Sequence, residues 1–163
     1  MLRLEVTIPR TKLHDDAKAE KVFKDNLKAA ITEASTVAWE AIVVKAPRVT
    51  GRLATSIELK IIETSDGTNA RIGTSLLYFL PVELGQKPHW APVEPFILWA
   101  KRKFGATEEQ AERIGYAVRA SVRKKGTKGK HFTKNAILFS LERIEKILEG
   151  AGIKVVGGLL ESQ

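Results

Sequence analysis

Cysteine is missing altogether from the 163 residues. With it go disulfide bridges, thiol catalysis and any cysteine-ligated zinc, an absence that agrees with a reducing compartment. Histidine is scarce as well. His14, His89 and His131 stand far apart, and none has the paired or i, i+4 spacing of a metal site. His14-Asp15-Asp16 reads as the cap of a helix rather than as a cation site. No apolar run approaches the roughly 20 residues that span a bilayer, so no membrane segment is expected. The opening, Met1 to Val6, alternates apolar and polar residues and lacks the apolar stretch of a secretory leader. The expectation is a soluble protein made in the cytoplasm.

Catalytic signatures are equally thin. No Gly-x-Ser-x-Gly occurs. The stretch Gly126-Thr127-Lys128-Gly129-Lys130 invites comparison with a phosphate-binding loop. With Gly129-Lys130 as its end, that motif asks for glycine at position 124 and a hydroxyl residue at 131, where the chain has Lys124 and His131. Ser56, Glu83 and His89 make a triad only on paper. Glu108-Glu109 falls at a helix start, where negative charge suits the dipole. No catalytic, cofactor-binding or metal-binding residue is assigned, and no enzyme is expected.

What is present suffices for one modest core: 44% of residues are hydrophobic and 28% charged. The sequence predicts a single domain over residues 1–163, with a tail from about 153. Residues 2–8 alternate as a short strand, which Pro9 ends. From Asp15 or Asp16, Phe23, Leu27, Ala30, Ile31, Ala34, Val37, Ala38, Ala41 and Ile42 recur at helical steps. That helix runs to Ala46, where Pro47 stops it. Residues 49–57 read as a turn into a strand. Residues 55–64 and 68–75 form a hairpin about the turn at Asp66-Gly67. Four of the six prolines lie between 81 and 95, giving an ordered loop before a short helix from Phe96 to Phe104. Thr107-Glu108-Glu109-Gln110 has capping-box form and opens a helix ending near Lys124. A last helix spans about Thr133 to Glu149. Trp39 and Trp99 are placed in the core. The class is α+β: a long N-terminal helix and shorter helices packed on a small antiparallel sheet.

Charge is unevenly spread. Eleven Lys or Arg and three Glu fall between Lys101 and Lys134, so that stretch carries the whole net charge of +8. Its densest part is the glycine-bearing loop with Lys124, Lys125, Lys128 and Lys130. These four are candidates to meet DNA or an acidic partner. The glycines would let the loop mould itself to phosphates. Without flanking aromatics to stack bases, such contact would be sequence-independent. Trp90, in the proline-rich loop with Pro92, is a candidate anchor for a protein contact.

Several of these segments occur in an order that resembles the head–tail joining family of tailed phages, also called tail-completion or minor tail protein Z-like proteins. After the long helix comes Thr50-Gly51-Arg52-Leu53-Ala54-Thr55-Ser56. The hairpin follows, then Tyr78 and Val82-Glu83-Leu84-Gly85. Next is the loop and Trp-bearing helix from Pro88 to Trp99. Last come Lys125-Gly126-Thr127-Lys128-Gly129-Lys130-His131-Phe132 and the final helix. The resemblance covers about residues 15–150, and departs at Leu84, where the family more often has an aromatic.

It implies a non-catalytic virion protein: a homo-oligomeric ring at the neck or tail end, with six subunits as one candidate number. Head-completion and tail-tube proteins would be its neighbours, and DNA would pass non-specifically through its lumen. It needs no cofactor and no membrane. The subunit contact expected from these readings gathers Arg52, Tyr78, Glu83, Trp90 and Pro92, with Arg52 bridging to Glu83. The alternative is a sequence-independent nucleic-acid-binding accessory protein free of any particle.

Overall fold

A computed structural model describes residues 2–4, 17–64 and 67–152. In chain order the elements are β1 (Leu2–Leu4), α1 (Ala17–Lys45), α2 (Arg52–Thr55), β2 (Glu58–Thr64), β3 (Gly67–Gly73), α3 (Phe79–Leu84), β4 (Gly85–Gln86), α4 (Glu94–Phe104), α5 (Glu108–Lys125), β5 (Thr127–Lys128) and α6 (Phe132–Gly150). The architecture is α+β, as expected. The readings for residues 5–8, for the caps at Asp15 and Asp16, for the turn at Ser65-Asp66 and for the tail from 153 lie outside the described residues.

The periodicity of α1 sets the core. Leu27, Ala30, Ile31, Ala34, Val37, Ala38 and Ile42 are all buried, because steps of three and four keep them on one side of a 3.6-residue turn. Phe23, expected among them, is 37% exposed. One end of this stripe covers the sheet, where Leu27 and Ile31 meet Ala70, Leu59 and Ile61. The rest meets α6 through Phe132, Ala136, Ile137, Ile144 and Leu148. The sheet is antiparallel in the order β1-β3-β2. Leu2 lies opposite Ile72 on one side, and Leu59 lies opposite Ile72 on the other. Trp39 is half-buried, and its indole N–H donates to the carbonyl of Ile57 at 2.8 Å.

Residues 49–57 depart from the expected turn into a strand. Gly51, at φ 77°, starts a single helical turn, α2. That turn buries Leu53 and Ala54. Ser56 ends it, with its hydroxyl 2.7 Å from that of Thr74. The alternation of Ile57, Leu59 and Ile61 therefore begins only after the apolar pair has been delivered to the core.

The basic loop also differs from expectation. It does not hang free: Thr127 and Lys128 pair with Gln86 and Gly85 as a two-stranded ribbon. The glycines serve close approach instead of pliability. A Cβ on Gly126 would run into the backbone carbonyl of Gln86, one on Gly85 into that of Thr127, and one on Gly129 would sit 2.5 Å from that of Glu83. Gly85 and Gly126 also hold φ of 82° and 72°, which side chains resist. The crossing is fastened by Lys130 N–H to Val82 O at 2.9 Å and His131 N–H to Glu83 O at 3.0 Å.

Glu83 then completes the start of α6. Its carboxylate accepts from the amides of Thr133 at 3.1 Å and Lys134 at 3.4 Å. Residue 131, at the N-cap, offers no side-chain cap of its own. A buried carboxylate there satisfies two orphan donors and complements the helix dipole. This corrects the expected Arg52–Glu83 bridge. Glu83 is buried within this chain, Arg52 is exposed, and no ion pair joins them among the described residues.

Candidate functional site

The basic stretch is presented by the helices α4 and α5, which pack on each other. Both have well-marked ends. Pro95 occupies the first turn of α4, and Gly105 caps its end at φ 62°. The capping box at Thr107 forms: Gln110 N–H donates to Thr107 Oγ1, and Thr107 N–H donates to Gln110 Oε1 at 3.2 Å. Lys101 pairs with Glu108 across the connection. The seam is narrow. Ala100 and Ala111 are fully buried, and a Cβ on Gly115 would lie 2.7 Å from Ile97 Cγ1. Trp99 is only half-buried, edge-on to Phe104 with ring centroids 5.2 Å apart, and so is not the core residue expected.

On its outer side α5 carries Tyr116, Arg119, Ala120, Arg123 and Lys124. Positions i, i+3, i+4 and i+7 fall on one face of a helix, and Trp90 folds onto that face from the loop before α4. The guanidinium of Arg119 lies 4.7 Å from the centre of the Trp90 ring and 4.9 Å from that of Tyr116. That of Arg123 lies 4.8 Å from the Trp90 centre. Together with Lys124 these residues line an open depression of about 420 Å³. Each such exposed cation–π contact is worth about 0.5–1 kcal/mol. Its larger effect is to hold two flexible cations in place. None of Arg119, Arg123 and Lys124 has an ion-pair partner among the described residues. Their position in the last turns of α5 also suits the negative end of the helix dipole.

The structure therefore merges two groups of residues that the sequence kept apart. Trp90, expected at a subunit contact, and Lys124, expected to meet DNA or an acidic neighbour, line the same depression. Trp90 is 61% exposed. Pro92, Lys125, Lys128 and Lys130 are exposed nearby in sequence but do not line it. Arg52 and Tyr78 lie on other elements, outside that lining. Tyr116, Arg119 and Arg123 escaped the sequence reading as a site, although their spacing on a capped helix was visible. Of the loop lysines expected to lack aromatic neighbours, Lys124 alone lines this depression with Trp90 and Tyr116.

Exposed apolar groups occur elsewhere too. Leu77 is 94% exposed, Leu84 65% and Phe139 78%, with the Lys45 ammonium 4.9 Å from the Phe139 ring centre. Among the described residues no group of three or more His, Asp or Glu could hold a metal ion, and no helix is long and apolar enough to cross a membrane. Comparison with protein-family models, with curated proteins and with solved structures gives no match.

Proposed function

We propose that this chain is a structural subunit of a tailed-phage particle, a member of the ring that joins head to tail or completes the tail end. It acts without catalysis or cofactor, and DNA passes through the ring's lumen. The observation that carries the reading is the meeting of two of the family-resembling segments. Val82-Glu83-Leu84-Gly85 and Lys125-Gly126-Thr127-Lys128-Gly129-Lys130-His131-Phe132 cross as β4 and β5, glycine against backbone. Their residue types thus answer to architecture: Glu83 caps α6, Phe132 packs edge-on against Phe79 at 5.7 Å, and the glycines permit the crossing. Support also comes from the apolar side chains left in solvent at Leu77, Leu84, Trp90 and Phe139, since an assembly would cover such groups.

Electron microscopy and native mass spectrometry of the purified protein test this. Closed homo-oligomeric rings are the expected result, with six subunits one candidate number. Strictly monomeric protein over the whole accessible concentration range would count against it. Neighbouring head-completion and tail-tube proteins are the partners to try next. A second reading, a sequence-independent nucleic-acid-binding accessory protein, is favoured by the unpaired cations at Arg119, Arg123 and Lys124. It predicts duplex binding without assembly, falling steeply with salt as counterions are released, and weakened by neutralising Lys124, Lys125, Lys128 and Lys130.

A further inference from the structure

We infer that the depression on α5 is the seat for the outward stripe of α1 from a second copy of this chain, so that copies join head to tail through these two different surfaces. The inference rests on the ring reading above and names the contact that builds the ring.

The stripe comes from the same helical geometry as the core. Val22, Asn26, Ala29, Glu33, Thr36, Glu40 and Val44 follow one another at steps of three and four, opposite the buried side of α1. All are exposed except Thr36, which is half-buried. At ~1.5 Å per residue the stripe runs roughly 33 Å along the helix. Its charged members are both carboxylates, in a chain of net charge +8. Neither Glu33 nor Glu40 has an ion-pair partner among the described residues. Of the lysines of this helix, Lys28 lies toward the sheet and pairs with Glu63 there at 2.5 Å, and Lys21, Lys24 and Lys45 fall outside the stripe. Val22 and Val44, 52% and 67% exposed, put apolar groups near the two ends.

The depression is the complement in charge and in character. It offers Arg119, Arg123 and Lys124 to carboxylates, and Trp90, Tyr116 and the small Ala120 to apolar and small side chains. The guanidiniums are already stacked on Trp90, so less side-chain freedom is lost when they bind. Planar guanidinium forks grip carboxylates in two-pronged fashion. A phosphodiester would use the cations but leave Trp90 and Tyr116 without apolar contact. Trp, Tyr and Arg together are the composition of the energetic centre of a protein–protein interface. Because the two surfaces differ, the contact is heterologous. Repetition of such a contact closes into a ring when the rotation between neighbours divides the circle.

The experiment is a charge swap on the full chain, followed by native mass spectrometry and sedimentation. Arg119→Glu with Arg123→Glu should weaken association by at least about tenfold, as loss of an interface centre does. Glu33→Arg with Glu40→Arg should do the same. An equimolar mixture of these two variants should regain association, because every contact between unlike copies pairs opposite charges, native at one kind of contact and reversed at the other; the four-fold variant carrying all the swaps should regain it too. Circular dichroism of each variant checks that these exposed substitutions leave the fold intact. As a second measurement, Thr36→Cys and Ala120→Cys, made separately in this cysteine-free chain and mixed, should cross-link to each other through a short bismaleimide. If the wild type forms rings and the charge-reversed variants form them equally well, the ring reading stands and this contact is wrong. Loss of duplex binding in Arg119→Glu with Arg123→Glu, with rings intact, would overturn it too and assign the site to phosphodiester. A wild type that never assembles removes the ring reading and this inference together.

Discussion

Two helix pairs in this molecule are built from different materials. Between α1 and α6 the buried residues include large ones: Ile42, Phe132, Ile137, Ile144 and Leu148. The residues buried on α4 and α5 include small ones: Ala100, Ala111 and Gly115. The first pair gains stability from apolar volume. The second brings its helices close and gives many of its remaining positions to charge, which leaves less to bury. Since local opening costs least where few apolar contacts are lost, α4 and α5 should open well below the free energy of global unfolding, while α1 and α6 define it.

The largest expected effect lies in the first pair. Ile42→Ala, at a side chain 1% exposed, should lower global stability by about 2–4 kcal/mol, read as a shift in the urea midpoint at unchanged slope. A loss under about 1 kcal/mol would show that the α1–α6 seam is less decisive than its burial indicates. Next is Glu83, which caps the start of α6. Glu83→Ala leaves the amides of Thr133 and Lys134 without their carboxylate, at a cost of about 1.5–3 kcal/mol for hydrogen bonds to a charged group. Glu83→Gln, which keeps an acceptor but not the charge, should cost less. Equal losses in the two variants would mean that the side chain's packing, not its charge, holds the start of α6.

These two residues also mark what the sequence made legible. The core stripe of α1 could be read because burial on one side of a helix leaves a three-and-four spacing, and Ile42 belongs to it. The hairpin and the capping box at Thr107 were equally plain, since each is written within a few neighbouring residues. The role of Glu83 was not, because its partners lie fifty residues downstream and no local pattern announces a cap delivered from another element. The same holds for the ribbon of β4 and β5, too short to show alternation, and for the depression on α5. Lys124 and Trp90 were singled out separately, but only the fold brings them to one surface and adds Arg119, Arg123 and Tyr116.

A smaller effect sharpens the comparison within the second pair. Gly115→Ala places a Cβ 2.7 Å from Ile97 Cγ1. Overpacking of about 1–3 kcal/mol is set against a gain in helix propensity of up to ~1 kcal/mol, for a net loss of about 1 kcal/mol. Amide hydrogen exchange should quicken along α4 and α5 and stay unchanged in α1 and α6. Faster exchange in all four helices would show that the two pairs open as one unit. The smallest effect on the monomer is expected at Trp90. Trp90→Ala removes stacking with Arg119 and Arg123 at the surface and should change the urea midpoint by no more than about 1 kcal/mol, yet weaken assembly clearly. A large loss of monomer stability instead would make Trp90 a packing residue of the α4–α5 pair.

The placement of α6 against α1 has a consequence in time. A ribosome delivers α1 first, and the helix that covers much of its apolar stripe begins at Phe132, roughly ninety residues later, which at about 5–20 residues per second is a wait of roughly 5–20 s. During that interval the sheet can cover Leu27 and Ile31, but Val37, Ala38 and Ile42 have no α6 to lie against. When α6 does emerge, its first turn still requires Glu83, held in place by the crossing of β4 and β5. Synthesis thus leaves the nascent chain with an open apolar seam until its closing segments arrive, and the excursion through α4 and α5 must be finished before the seam can shut.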